Sequence, residues 1–362
     1  MKKKILNILG TRPQIIKWWA LHRFLKESDL PLHIYTLHTS QHYDENMSEI
    51  FYKEFELPLP DFHLNTKGLS RLERMEEMLR GIREAADTVK PEILLIYGDT
   101  DSTLAGALAG ELYGIPVAHV EAGLRSNRRD MPEEFNRVAS DRIATLLLCP
   151  THRAIRNLEA EGITRWAEQG LVQVIFSGDV MLDNILFLAP RLDSLNAHGP
   201  FAFMTLHRNY NTDDPARLKA ICQAVSALAE NIPIVFPVHP RTRQKLQQFG
   251  LEFSERVKIM DPLGFMDTLR YVKAARFVFT DSGGLQKEAC FLGKPVLILR
   301  GETEWLEILE EKAGVLAGDN PDHWPMAYQE LTKIPTPVQI RGFGDGRAAC
   351  IICEALINFS SR

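Results

Sequence analysis

Several short apolar runs in this sequence end in residues suited to proton or anion chemistry. The run at 93–97 leads into Gly98-Asp99-Thr100-Asp101-Ser102, and the run at 116–120 leads into Glu121-Ala122-Gly123. Carboxylates at successive strand ends are expected to converge on one crevice, where they would act as general acids and bases. Glu133 and Glu134 follow in MPEEFNR at a predicted helix start. Acids also favour a first helical turn by themselves, so Glu133 alone reads as a cap; with Asp99 and Glu121 it reads as part of an acid/base cluster. The first run ends in Gly10-Thr11-Arg12-Pro13. Arg12 and Lys17 are placed there to meet an anion, although a plain turn with surface cations has the same pattern.

In the second half, His207 follows a run in TLHR, and His239 follows another in PVHPR. A lone histidine after a strand is commonly satisfied locally; two such loops on one sheet edge make a role in anion binding or proton transfer about as good a reading as local satisfaction. The most informative loop is Thr280-Asp281-Ser282-Gly283-Gly284-Leu285-Gln286-Lys287-Glu288. It reads either as a capped turn or as a diphosphate cradle, Ser282, Gly283 and Gly284 offering backbone N–H groups at a helix N-terminus. Glu288, about one turn into that helix, is placed for ribose hydroxyls. The loop is neither a Walker A nor a GxGxxG sequence, and no HxH or HExxH spacing suggests a metal site. No cofactor is expected.

The elements that must position these residues are legible as alternation. Apolar runs at 4–9, 33–37, 93–97, 116–120 and 146–149 alternate with stretches of helical period. At 70–86, Leu72, Met75, Leu79, Ile82 and Ala86 recur on one predicted helix face, and Ser70 with Glu73 forms a capping box. A second series of strands is predicted at 172–176, 202–205, 234–237, 257–260, 277–280 and 296–299. Two series predict an α/β protein of two Rossmann-like, doubly wound parallel-sheet domains with the site in the cleft between them. The expected parts are 1–168 with a C-terminal helix at 345–362, and 169–344, the break falling near 164–172, where TRWAEQGL interrupts the pattern.

The bulk properties narrow the functional classes. A chain of 362 residues favours two domains, and 45% hydrophobic with 25% charged residues is ordinary globular composition. A net charge of −5 gives no basic footprint for nucleic acid. Five scattered cysteines argue for a reducing compartment, and Cys350-x-x-Cys353 lies in an apolar helical run that reads as core. No apolar run approaches the roughly 20 residues of a spanning helix, so a cytoplasmic protein without a membrane partner is expected.

Taken together, GTRPQIIK (10–17), TSQHYDENM (39–47), GDTDST (98–103), HVEAGLR (119–125), PEEFNR (132–137), GDVMLD (178–183), HRNYNTDD (207–214), PVHPRT (237–242), TDSGGLQKEACFLGKPV (280–296) and GDGRAA (344–349) resemble the non-hydrolysing UDP-N-acetylglucosamine 2-epimerases. That family has the GT-B fold, with a last helix that crosses back to the first domain. The resemblance implies reversible conversion of UDP-N-acetylglucosamine to UDP-N-acetylmannosamine through UDP expulsion and a 2-acetamidoglucal intermediate. It further implies a homodimer that supplies surface-polysaccharide precursors. By motif, Asp99, Glu121 and Glu133 would be the acid/base carboxylates and His207 would assist the leaving group. Arg12, Lys17, Ser282, Gly283 and Gly284 would hold phosphates, His239 would take part in substrate binding, Glu288 would bind ribose and Phe265 would stack on uracil.

The chain departs from the family pattern at Gln14, where Glu is usual, at Ser40 for Gly, at Asn209-Tyr210-Asn211 and at Trp305. The TSQH and HRNY departures fall in regions that the resemblance associates with a second, regulatory UDP-sugar. Competing readings are a hydrolysing 2-epimerase, an epimerase of a modified sugar such as a diacetamido-uronic acid nucleotide, a GT-B glycosyltransferase, and a nucleotide-sugar sensor without turnover.

Overall fold

The structure, a computed structural model, describes residues 2–41, 52–126, 131–193, 195 and 199–360. Positions 42–47 of TSQHYDENM lie outside the described residues. The chain divides into two units, Met1–Asn184 with Phe343–Arg362, and Ile185–Gly342.

The first unit is built on a seven-stranded sheet: β1 (Lys3–Leu9), β2 (Leu32–His38), β3 (Phe62–His63), β4 (Ile93–Tyr97), β5 (Val117–Val120), β6 (Leu146–Cys149) and β7 (Gln173–Phe176). The spatial order is β3-β2-β1-β4-β5-β6-β7, and every pairing is parallel. Helices covering both faces explain why β4 and β6 are apolar without alternation, each being buried along its whole length. The order reverses between β1 and β4, so the carboxyl ends of β1, β4 and β5 flank the switch point where such sheets hold ligands.

The second unit holds β8 (Ala202–Thr205), β9 (Ile234–Pro237), β10 (Val257–Met260), β11 (Phe277–Thr280), β12 (Val296–Ile298) and β13 (Gly314–Leu316). They form a parallel sheet in the order β10-β9-β8-β11-β12-β13. Its core brings Leu218, Ile221, Val225 and Leu228 of the helix Pro215–Asn231 together with Phe236, Phe279, Trp324 and Leu331. The strands at its switch point, β8 and β11, end side by side, with the Thr205 and Thr280 hydroxyls 2.6 Å apart.

Three expectations are corrected. The run at 172–176 opens no second series; as β7 it pairs with β6 and completes the first sheet, so the division falls after Asn184. An apolar run has the same pattern whichever sheet receives it. The short strands β3 and β13 carry too few residues to show a period. The helix predicted at 70–86 forms as Arg71–Val89, capped by Ser70 and Glu73, but Leu72 is 70% exposed; the buried face starts at Met78 and continues through Ile82, Ala85 and Ala86.

The C-terminal helix Ala348–Asn358 packs on the helix Arg12–Glu27 in the first unit. Arg347 supplies no side-chain cap; the Asp183 carboxylate instead accepts the amides of Ala348 (3.1 Å) and Ala349 (2.8 Å). Gly178 (φ +77°) and Gly344 (φ +92°) allow the approach: a Cβ on Gly344 would lie 3.1 Å from the Gly178 Cα.

Candidate active site

In the first unit the candidate groups sit on loops that leave the carboxyl ends of β1, β4 and β5. Gln14 wires the first two loops together. Its Oε1 accepts the amides of Gly10 (2.8 Å) and Thr11 (3.1 Å), while its Nε2 donates to the Tyr97 carbonyl (2.9 Å) and to the Thr100 hydroxyl (3.0 Å). Donors on one side and a main-chain acceptor on the other fix the amide's orientation. Thr100 then caps the helix Asp101–Tyr113.

Lys17, 8% exposed, forms an ion pair with Glu121. Its ammonium also lies against the bare Cα of Gly98, where an added Cβ would come within 3.1 Å. Glu121 has φ +71°, a left-handed conformation that costs a non-glycine residue about 1–3 kcal/mol and persists only where the surroundings impose it. Here the Glu121 amide donates to the Leu148 carbonyl (3.0 Å), and the Gly123 amide donates to the Asp141 carboxylate (3.0 Å).

Asp99 is ion-paired with Arg137, and its backbone carbonyl accepts from Asn136 (3.0 Å). Both partners lie on the helix Pro132–Ile143, which carries Glu133 in its first turn. The structure thus brings Asp99 to the helix of Glu133 and Lys17 to Glu121. It also separates the neighbouring acids by role. Asp101 is consumed by Arg71 (2.8 Å) and Asn136 (3.1 Å); burial alone would raise its pKa, and these bonds reverse that. Glu134 accepts the Ser126 amide and hydroxyl (2.9 Å each) and Arg137 (2.8 Å). The Glu133 side chain makes no hydrogen bond or ion pair among the described residues. Arg12 is exposed.

In the second unit, buried Asp281 organises the His207 loop. Its carboxylate accepts the amides of His207 (3.0 Å) and Arg208 (2.8 Å) and the Asn211 side chain (3.1 Å), and His207 Nδ1 lies 3.2 Å away. Burial would raise the Asp281 pKa, and these bonds more than reverse it. Asn211, one of the departures from the family pattern, is also gripped by Arg217 (2.9 Å). His239 caps the helix Pro240–Phe249, its Nδ1 accepting the Arg241 amide (3.3 Å), which makes Nδ1 the unprotonated nitrogen. Burial, then the His207 and Arg241 charges, lower its pKa. The His207 and His239 rings lie 6.2 Å apart.

Ser282 precedes the helix Gly283–Phe291 and makes no side-chain cap, so the first-turn amides carry no side-chain partner from it. The Glu304 carboxylate lies close over Gly283 and would have to shift to admit a Cβ there. Gly284 is exposed, with Glu288 Oε1 3.8 Å from where its Cβ would stand. Phe265 opens the helix Phe265–Ala274 and is 2% exposed. The Lys287 ammonium lies 3.7 Å from the Trp305 ring centroid. Residue reading missed Arg137 and Gln14 as site-building groups. Arg137 had a signal, standing four residues after Glu133 and so one helical turn away; Gln14 had one in the Thr11-x-x-Gln14 capping box, while its bonds to Tyr97 and Thr100 bridge 83 and 86 residues and leave no local trace.

A family model described as UDP-N-acetylglucosamine 2-epimerase matches residues 25–357. The chain is 41% identical over 359 residues to the UDP-2,3-diacetamido-2,3-dideoxy-D-glucuronate 2-epimerase of Pseudomonas aeruginosa, covering 98% of this chain and 99% of that one. It is 39% identical over 334 residues to a UDP-N-acetylglucosamine 2-epimerase of Methanocaldococcus jannaschii, covering 88% and 89%. The crystal structure of the M. jannaschii UDP-GlcNAc 2-epimerase in complex with UDP-GlcNAc and UDP matches with a TM-score of 0.82 and 35% identity over 98% of this chain and 99% of that one. The two parallel sheets are those of the GT-B type. With near full-length matches in sequence and in fold, this chain belongs to the UDP-N-acetylglucosamine 2-epimerase family.

Proposed function

We propose that the chain inverts C2 of a UDP-2-acetamido sugar without net hydrolysis, UDP-N-acetylglucosamine and UDP-N-acetylmannosamine being the simplest pair. The C2 proton is not acidic in the intact sugar, so the reaction proceeds by elimination. The C1–O bond breaks with its electron pair leaving on UDP, a carboxylate takes the C2 proton, and a C1=C2 double bond forms. A carboxylic acid then returns a proton to the opposite face of C2 while a UDP oxygen closes on C1. This reading assigns the C2 proton transfers to Asp99, Glu121 and Glu133, with Lys17 setting the charge beside Glu121. It assigns the diphosphate to the first-turn amides after Ser282, with Arg12 and His207 countering its charge. Glu288 is assigned to ribose, while Phe265 and His239 complete nucleotide binding. We further infer a homodimer whose product feeds surface-polysaccharide synthesis.

The observation that carries the reading is the loop cluster of the first unit, with Lys17 paired to Glu121 and Asp99 tied to the helix of Glu133, in a chain of this family. A second reading, a 2,3-diacetamido-glucuronate as the sugar, is favoured by the 41% identity to the Pseudomonas enzyme. Each nucleotide sugar is incubated with the protein in heavy water and C2 is followed by NMR. Deuterium in both epimers of one sugar identifies the substrate. Free N-acetylmannosamine and UDP would mean hydrolysis, and exchange with neither sugar would remove the epimerase reading in favour of a sensor.

A further inference from the structure

His119, in β5, is fully buried between the two loops that carry Asp99 and Glu121. Its Nε2 lies 2.7 Å from the Gly98 carbonyl, the peptide that enters Asp99, and its Nδ1 lies 2.8 Å from Asp141 Oδ1. A carbonyl only accepts, so Nε2 carries a proton. The other nitrogen is decided by Asp141, whose second oxygen accepts the Gly123 amide (3.0 Å) and Arg125 (2.7 Å). Burial would raise the Asp141 pKa, and the bonds and charges of His119 and Arg125 lower it instead; the Arg125 guanidinium on Oδ2 favours the ionised carboxylate by itself. An ionised carboxylate has no proton to give, so Nδ1 must donate as well. The charges close locally, because Arg125 also makes a two-pronged pair with Glu161 (2.6 and 2.9 Å).

We propose that His119, held as an imidazolium, and Asp141 form a charged strut that sets the Asp99 loop against the Glu121 loop, both acting as positioning residues that do not touch the substrate. One end of the strut holds the Gly98 carbonyl, and the other holds the amide two residues after Glu121. Glu121 needs that second hold, because its left-handed backbone relaxes once its neighbours stop imposing it. A neutral imidazole keeps one of the two bonds and loses the other, leaving one loop free to drift. A misplacement of about 1 Å can cost on the order of 100-fold in rate. This inference rests on the epimerase reading for its kinetic arm only.

The structural arm is neutron diffraction of the unaltered protein at the pH of turnover. Deuterons on both Nδ1 and Nε2 of His119 are expected, and a bare nitrogen would overturn the strut. The kinetic arm compares Asp141→Asn and His119→Asn with the parent in the heavy-water exchange assay. The expected result is a kcat lower by about 10- to 100-fold, with KM and UDP affinity within about threefold and the far-UV circular dichroism unchanged. A folded variant with parental kcat, or one whose loss lies wholly in KM, would sink the positioning role. A parent that exchanges neither sugar would refute the epimerase reading, while the deuterons on His119 would still decide for or against the strut.

Discussion

Asp99 and Asp101 stand two positions apart in the same turn, yet their carboxylates are engaged differently. Asp101 spends its oxygens on Arg71 and Asn136, whereas Asp99 pairs with one cation among the described residues, Arg137, and keeps a partly open carboxylate. Asp99→Asn is therefore expected to lower C2 exchange by about 10²- to 10⁴-fold. UDP binding should stay within about threefold, as titration calorimetry would show; retained turnover would remove Asp99 from the mechanism. Asp101→Asn should instead act through stability. Gln14→Met, of nearly the same shape, would leave the buried amides of Gly10 and Thr11 unpaired. A loss of about 2–4 kcal/mol in chemical denaturation is expected, and parental stability would show that the amide has no such role. The sequence displayed these acids together and was silent on which was spoken for. That silence has a physical cause, since the neutralising partners lie 30 to 38 residues away on other elements.

At the scale of elements, the strands that fill both sheet centres were legible because burial on both faces demands unbroken apolar runs, as in ILLIY of β4. Which sheet a run joins depends on contacts made after collapse, and β7 shows this, since nothing in QVIF names β6 as its neighbour. The capping of the last helix by Asp183 was equally invisible, the two partners being 165 residues apart. Burial first, then Asp179, push the Asp183 pKa up to about 6 against its two amide bonds. With the folded value above the unfolded one, its stabilising contribution is present in full below about pH 4 and is lost as pH rises towards 6. The loss is about 3 kcal/mol. Asp183→Asn should flatten the dependence of unfolding free energy on pH between about 4 and 6, measured by denaturant titration at several pH values. Parallel curves for parent and variant would refute this assignment.

For the whole molecule, the two units differ in how the chain supplies them. Ile185–Gly342 is one continuous stretch with its own apolar core, whereas the other unit needs Phe343–Arg362 to complete it. The fragment 185–342 is expected to fold alone and to bind UDP, visible as a cooperative melt whose midpoint rises with UDP. The truncated chain 1–342 would leave the apolar side of the helix Arg12–Glu27 uncovered and should melt at lower temperature than the full chain. A fragment without a cooperative melt would show that the second unit is not autonomous. The GT-B type doubling was readable from two runs of alternating elements; the recruitment of the tail was suggested only by motif resemblance, since a helical period does not reveal its docking partner.

The late return of the chain also bears on biosynthesis. A ribosome delivers Asp183 and the helix Arg12–Glu27 long before it delivers Ala348, so the leading half must wait with an unfilled apolar seam while the middle segment emerges and closes. The common order in which the N-terminal domain matures first is therefore expected to be inverted, the continuous unit Ile185–Gly342 closing before the first unit is completed. The exposed seam of the waiting half is the surface a nascent-chain chaperone would meet.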